Sequence, residues 1–546
     1  MPQARRKQLM RSPPDRSECE NVPVHSWHHL ITAALQFKQD DRPCIFLPFC
    51  AVELYHIGNI QKEFTMYRTE AIKPDDFKPA RFVSEHTITL NGVEIPYQTI
   101  CEDNVFYNAD GKPVASIFSY AYLRTDVEDV SNRPVIFAYN GGPGSSSVYV
   151  HAGCFGTRRV TYGEPDRPSA FGPFEVIDNP DCLIDVADLV IVDPVGCGYG
   201  MLLDEKEKDH FLGIEADAEA LLNFIEAWCL RYQRGLSPKY LAGESYGCTR
   251  SATAAGIAAT SGKDRAYGVA FDGIIMIGNT VTVGEYFGRN VPVEESVLGF
   301  PTYAGVNWYH NHPSDQSVEE FVMEAKAFAD EDYVLALYKG EALSEEKKEY
   351  IIEKVSYYTG VSREYLLAHG LKIDDNDYRQ EVLKTKGKAV SRYDGRMTRP
   401  MLEPWKDEER KALWDDATAD RYDTYFYAAL TGDILPYLNV KLDRTYVNMT
   451  MYYKNWNRTC EFGTTGEQLR NAMTRRPGMR TFFANGWFDL CTEFGHVFYT
   501  LDHAGLPKDR VYVKGYPSGH MIYIGEDNVR ELSNDIRTFI LGGKPE

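Results

Sequence analysis

Three residue types in one order give this chain its chemistry: a serine between glycines, then a carboxylate, then a histidine, each just past a strand-like run. Gly243-Glu244-Ser245-Tyr246-Gly247 follows the apolar run at 239–242 and precedes a small-residue stretch at 251–255 that reads as a helix. A serine at such a junction sits on a sharp strand-to-helix turn, with Oγ exposed and backbone N–H groups beside it. Glycine is needed on both sides, because a side chain there would strike the strand and the helix. Residues 481–486 read as a buried strand ending in a turn, with Asp489 just beyond it. Residues 510–514 read as the next strand, and its exit loop carries His520. Serine, acid, histidine is the chain order that this geometry demands. Ser245 is the expected nucleophile, His520 its base and Asp489 the carboxylate that orients the imidazole. His496 and His503 also follow Asp489, but residues 493–504 read as an amphipathic helix. A histidine near a helix C-terminus ordinarily complements the helix dipole in solvent.

A second motif supplies the anion site. The strand-like run 134–139 leads into Asn140-Gly141-Gly142-Pro143-Gly144-Ser145-Ser146-Ser147. A loop this rich in glycine lets backbone N–H groups point at a developing oxyanion. Gly142 and Tyr246, the residue after the nucleophile, are the expected pair of donors. A phosphate-cradling loop of the Walker type is excluded by the absence of a Lys-Ser/Thr ending.

With these motifs and Gly519-His520-Met521 together, the chain resembles the serine carboxypeptidase family of α/β-hydrolases. Asp193-Pro194-Val195-Gly196-Cys197-Gly198-Tyr199 and residues 273–279 look like further family blocks. The resemblance runs from about residue 80 to the end, strongest in the motifs and loosest in the middle third. It is closest to the bacterial-type branch that reads N-G-G-P-G-S-S-S. It implies an exopeptidase that needs no cofactor and removes one residue from peptide substrates with a free C-terminus. It also implies that Asn140, Gly141 and Glu244 hold the substrate's terminal carboxylate. A carboxylate can accept from the Asn140 amide and the Gly141 N–H, and from Glu244 only while that group is protonated. Two departures stand out. Many members carry a second glutamate that shares a proton with the Glu244 equivalent, and Cys154 stands at that place here. Arg158 or Arg159 is a candidate to take up the carboxylate instead; two arginines on a solvated turn is the competing reading. Ser145 stands where many secreted relatives have a disulfide cysteine.

The elements that must position these groups are legible in the patterning. The fold class expected is α/β: an α/β-hydrolase fold with a mostly parallel central sheet, flanking helices, antiparallel strands at the N-terminal side and a helical cap insertion. Residues 86–90, 93–100, 114–123 and 135–139 alternate apolar and polar, with Asn91-Gly92 and Asp110-Gly111 as hairpin turns. A strand at 189–192, a helix at 214–230 and a strand at 240–242 follow. Residues 318–339 and 344–358 carry helical periodicity, with Ser344 as N-cap. The expected division is an N-terminal extension at 1–65, core at 66–280, cap at 281–475 and core again at 476–546. The extension has basic and histidine clusters without periodicity. Translation is expected to begin at Met66, because Lys62-Glu63 admits a ribosome-binding sequence in its codons.

A chain of 546 residues with 43% hydrophobic and 13% aromatic content can bury a large core. Its net charge of −20 argues against nucleic acid and anionic membranes as partners. No apolar run of about 18 residues is present, so no membrane span is expected. Eleven cysteines without a framework or a C-x-x-C pair suit a reducing compartment, hence the cytoplasm, with a secreted or periplasmic location as the alternative. Cys248 and Cys491 read as small buried fillers. His310-Asn311-His312 lacks metal-ligand spacing, so no metal is expected. Two rival functions share these residues: an esterase or acyltransferase on the same triad, and a non-catalytic binding protein that keeps the fold.

Overall fold

Alternation in the first described stretch builds an antiparallel start. β1 (Arg81–Leu90) and β2 (Val93–Tyr107) pair along their full overlap across Asn91 and Gly92, both at positive φ, 50° and 78°. That two-residue turn matches the twist of the strands it joins. β2 runs well past residue 100 because β3 (Pro113–Arg124) covers its other side, pairing as far as Tyr107↔Pro113. Periodicity fades there only because both faces of residues 100–104 are covered.

The following strands are buried along their whole length: β4 (Val135–Tyr139), β5 (Asp188–Asp193), β7 (Lys239–Glu244) and β8 (Gly273–Ile277). Short β6 (Met201–Leu202) pairs with β3. A separate hairpin joins β9 (Lys388–Val390) and β10 (Thr398–Pro400), and β11 (Arg480–Gly486) and β12 (Val511–Tyr516) complete the main sheet. The sheet order is β1-β2-β3-β5-β4-β7-β8-β11-β12, antiparallel as far as β5 and parallel from there on. Alternate residues of the parallel strands enter two apolar clusters. Phe137, Leu241 and Ile274 face helix Ile214–Arg231 and helix Tyr246–Thr260. Ile136, Ala242 and Ile275 face helix Glu526–Ile540. Helices on both faces are why these strands read as continuous apolar runs.

The structure, a computed structural model, describes residues 77–163, 175–260, 266–284, 295–401, 416–450, 452, 454, 456–461 and 463–545. All belong to one unit, Thr69–Glu546. The expected extension at 1–65 and the start at Met66 lie outside the described residues. Between β8 and β11 the described chain is mainly helical: Glu295–Asn311, Val318–Phe328, Glu345–Thr359, Asp375–Glu381 and Ala417–Ala429 are the longer segments near the site. Ser344 caps Glu345–Thr359 by accepting from the Lys347 N–H, and Gly360 ends it at φ 73°. Two features differ from expectation. The β9–β10 hairpin was not anticipated, since three-residue strands carry too little periodicity to read. Helix Thr465–Arg475, expected in the insertion, lies against the helix that follows Ser245, where Gly256 meets Gln468. No described helix is long and apolar enough to cross a membrane.

Candidate active site

The parallel strands deliver the reactive groups at their C-terminal ends, where open α/β sheets place their ligands. Ser245 is the single residue between β7 and helix Tyr246–Thr260, held at φ 58°. A non-glycine residue in that region is strained, and the turn is pinned by its own N–H donating to the Ile277 carbonyl at 2.8 Å. The flanking glycines act as expected. A Cβ on Gly243 would run into the Gly247 carbonyl, and one on Gly247 would come within 3.1 Å of the Tyr139 carbonyl.

Asp489 follows β11 and is wholly buried. One carboxylate oxygen accepts from the Cys491 N–H (2.8 Å) and the Thr492 N–H (2.9 Å). The other accepts from the Thr492 hydroxyl (2.6 Å) and from His520 Nδ1 (2.8 Å). That leaves Nε2 of His520 for the cleft that both it and Ser245 line. The His520 backbone is clamped too, its N–H donating to the Tyr393 carbonyl at 2.6 Å. Burial works against the imidazolium, but Asp489 more than offsets it and holds the His520 pKa above the ordinary histidine value.

Gly142 lies in the loop after β4, and Tyr246 directly follows Ser245. The Gly142 N–H donates to no described residue, and Tyr246 opens its helix, the end at which backbone N–H groups point outward. A buried arginine that sequence reasoning missed ties these pieces together. Arg250 pairs with Asp217 (2.6 Å) and donates to the Asn140 carbonyl (2.7 Å), linking the nucleophile helix to the glycine loop.

Asn140, Gly141 and Glu244 also line the cleft. The Asn140 amide donates to Glu244 at 2.8 Å, and the Tyr523 hydroxyl donates to its other oxygen at 2.7 Å. Burial drives Glu244 up to about 7 even though cationic His520 and these two donors favour the carboxylate. Cys154 is a buried thiol that donates to the Val150 carbonyl, so Tyr523 is the hydroxyl that holds Glu244 here. Tyr523 stands three residues past His520, and nothing in its local pattern marked it.

Arg158 and Arg159 are a correction. Arg158 pairs with Asp433 (2.6 Å) and Asp178 (2.7 Å), and Arg159 with Glu526 (2.7 Å) and Asp181 (3.2 Å). Neither lines the cleft. Their short strand, Arg158–Val160, turns the guanidinium groups toward carboxylates elsewhere, and Arg159 is buried rather than on a solvated turn. His496 is a second correction. It rides a helix, but in the first turn of Phe494–His503, half-buried and lining the cleft 3.6 Å from Glu493. His503 is exposed at the last turn, as expected. Cys248 is a buried filler, whereas Cys491 lines the cleft, its thiol pushed up to about 12 by burial.

The cleft has a volume of about 500 Å³, within the range of small-ligand sites. Its far wall comes from the insertion: Asp375, Arg379, Arg392, Tyr393 and Asp423, with Glu493 beside them. The Tyr303 hydroxyl donates to Asp375, which also bonds Glu493, so two carboxyl groups meet there, Glu493 buried and Asp375 half-buried. Both are raised by burial, Glu493 to about 7 and Asp375 well above its ordinary value. The arrangement as a whole can deprotonate a hydroxyl, hold an oxyanion on backbone donors and admit a small polar substrate.

Known proteins resemble this chain to different extents. The serine carboxypeptidase family pattern matches residues 106–505, which include Ser245 and Asp489 and stop short of His520. Serine carboxypeptidase-like 33 of Arabidopsis thaliana is 29% identical over 150 residues, 26% of this chain and only 28% of that relative's length. Among solved structures, a prohormone-processing carboxypeptidase of Saccharomyces cerevisiae (Kex1) is 14% identical, with a TM-score of 0.49 over 84% of this chain and 91% of that one. The peroxisomal α/β-hydrolase Lpx1 of the same yeast is 9% identical, with a TM-score of 0.31 over 86% and 91%. The sheet order, the flanking helices and the serine turn are those of an α/β-hydrolase fold, and this chain belongs to the serine carboxypeptidase family.

Proposed function

We propose that the chain is a serine-type carboxypeptidase, with Ser245, His520 and Asp489 as its triad. The observation that carries this reading is the buried Asp489–His520 hydrogen bond of 2.8 Å at the wall of the cleft that Ser245 lines. His520 takes the Ser245 proton as Oγ attacks the scissile carbonyl, and the Gly142 and Tyr246 N–H groups receive the oxyanion. His520 then gives that proton to the departing amino group. Water, deprotonated by the same imidazole, opens the acyl-enzyme and regenerates the hydroxyl. Asn140, Gly141 and protonated Glu244 hold the terminal carboxylate, with Tyr523 keeping Glu244 in place.

The test is release of an amino acid from N-blocked dipeptides and from their C-terminal amides. Cleavage of the free acids but not the amides is expected, together with fluorophosphonate labelling of Ser245. Labelling with cleavage of simple esters alone would replace this reading by an esterase.

Three further readings accompany it. The motif Asn140–Ser147 favours the bacterial-type branch. The described cysteines are free thiols, which favours a cytoplasmic location. The cap is taken as the insertion from 281 to about 460, with the rest of 66–546 as hydrolase core.

A further inference from the structure

Arg392 lines the cleft from the loop between β9 and β10, and that loop is fastened to the histidine turn. The Tyr393 carbonyl accepts the His520 N–H at 2.6 Å. Arg396 pairs with Asp394 (2.6 Å) and donates to the Pro517 carbonyl (2.7 Å) and the Ser518 hydroxyl (3.0 Å). Behind it, Asp416 accepts the Arg392 N–H at 2.6 Å and the Ser391 hydroxyl at 2.5 Å. The backbone of residues 391–396 is therefore held from both sides, and a side chain it presents is pre-positioned.

The guanidinium of Arg392 makes no hydrogen bond and no ion pair with any described residue, whereas neighbouring Arg379 pairs with Asp416 at 3.5 Å. The groups around Arg392 are Cys491, Tyr393, Glu493 and Asp375. Burial keeps each of them toward its neutral form: the thiol and the phenol are raised well above neutral pH, Glu493 to about 7 and Asp375 well above its usual value. On the same wall, burial likewise lifts Asp423 to about 6, and the Tyr149 hydroxyl donates to it. The carboxyl groups of this wall thus answer one another and Tyr303 or Tyr149, while the guanidinium forms no direct pair with any of them. A partly desolvated guanidinium in that condition is costly unless an anion joins it, and its planar fork suits a carboxylate.

We propose that Arg392 grips a carboxylate of the bound substrate. This rests on the carboxypeptidase reading and deepens it. The carboxylate comes either from an acidic side chain flanking the scissile bond or from the substrate's own terminus. Tyr393 and His520 make the coupling short: the anchor for the substrate and the general base share one backbone hydrogen bond.

The experiment compares wild type, Arg392→Gln and Arg392→Lys on N-blocked dipeptides with Glu or Gln on either side of the scissile bond, as free acids and as amides. Assays run at about pH 6, where Glu493 and Asp375 stay largely protonated. For Arg392→Gln, a rise in KM of about tenfold is expected on substrates bearing the recognised carboxylate, with kcat little changed and partial rescue in Arg392→Lys. Loss of discrimination between Glu and Gln identifies a side-chain carboxylate. Loss of discrimination between free acid and amide, with Glu and Gln alike, identifies the terminus. Equal loss on every substrate overturns the proposal.

Protection of wild-type Ser245 from a fluorophosphonate by N-acetylglutamate, N-acetylglutamine and N-acetylglutamine amide gives a second readout that needs no variant. Equal protection by all three also overturns it. Wild type that releases no amino acid from any of these peptides defeats the carboxypeptidase reading instead, and the protection series still reads the carboxylate site.

Discussion

The two walls of the cleft are built differently. One is the ledge at the ends of β4, β7, β11 and β12, where Gly142, Ser245, Asp489 and His520 are fixed within a few residues of the strands of the main sheet. The other comes from the insertion, where Asp375, Arg392 and Asp423 arrive on short helices and a three-residue hairpin. On the ledge, backbone hydrogen bonds place the reacting groups: Ser245 through Ile277, Asp489 through Cys491 and Thr492. On the insertion side, side chains do the placing: Arg396 pairs with Asp394 two residues before it and donates to the Pro517 carbonyl of the loop before His520. On the proposed reading, the ledge makes and breaks bonds and holds the terminal carboxylate while the insertion adds further substrate choice, a division that loops on a rigid scaffold commonly make.

The sharpest way to break that division is on the ledge itself. Ser245→Ala should lower kcat by about 10⁶-fold while the melting temperature hardly moves. A loss confined to KM would take the serine out of the chemistry. Asp489→Asn should follow at about 10⁴-fold in kcat, because the imidazole would then favour the wrong tautomer. Activity that survives in that variant would mean the 2.8 Å contact only packs the histidine.

Smaller effects sharpen the comparison. The Tyr523 hydroxyl favours the carboxylate form of Glu244, so Tyr523→Phe should raise the Glu244 pKa further. Protonated Glu244 would then persist to higher pH, and KM for free-acid peptides should begin to climb later on the alkaline side. A KM profile identical to wild type would remove Tyr523 from carboxylate binding.

Stability should report the same buried acids. Glu244 and Glu493 have folded-state values of about 7 against an ordinary 4.5. The native state therefore binds more protons than the unfolded chain between those values, and stability should fall as pH rises from about 5 through 7. Replacing both by Gln should flatten that slope in thermal denaturation; an unchanged slope would place its origin elsewhere. The smallest effect is expected far from the cleft. Ser344→Ala removes the acceptor for the Lys347 N–H and should cost about 1 kcal/mol in denaturant unfolding, with kcat unaltered.

Legibility followed the same boundary. The Asn91-Gly92 hairpin, the buried parallel strands, the serine turn and the order of the triad rest on short-range patterns, and the structure carries each of them. Ser344 was readable for the same reason. His496 was read onto the right helix but onto the wrong surroundings, since periodicity tells which face a residue rides and not what the insertion lays over it. Arg158 and Arg159 looked available because their partners, Asp433 and Glu526, lie hundreds of positions away. Arg392, Tyr523 and Asp375 left no local trace at all.

Local sequence, by itself, determined that a serine would occupy a strained strand-to-helix turn, that an acid and a histidine would leave the next strands in order, and that glycines would free the backbone beside them. Those outcomes follow from sterics and period within a few residues. Only the tertiary structure decided which cations find partners, which carboxyl groups burial keeps protonated, and which guanidinium is left facing the cleft. Such choices depend on desolvation and on charges brought together from remote segments, and neither is written in any one stretch of chain.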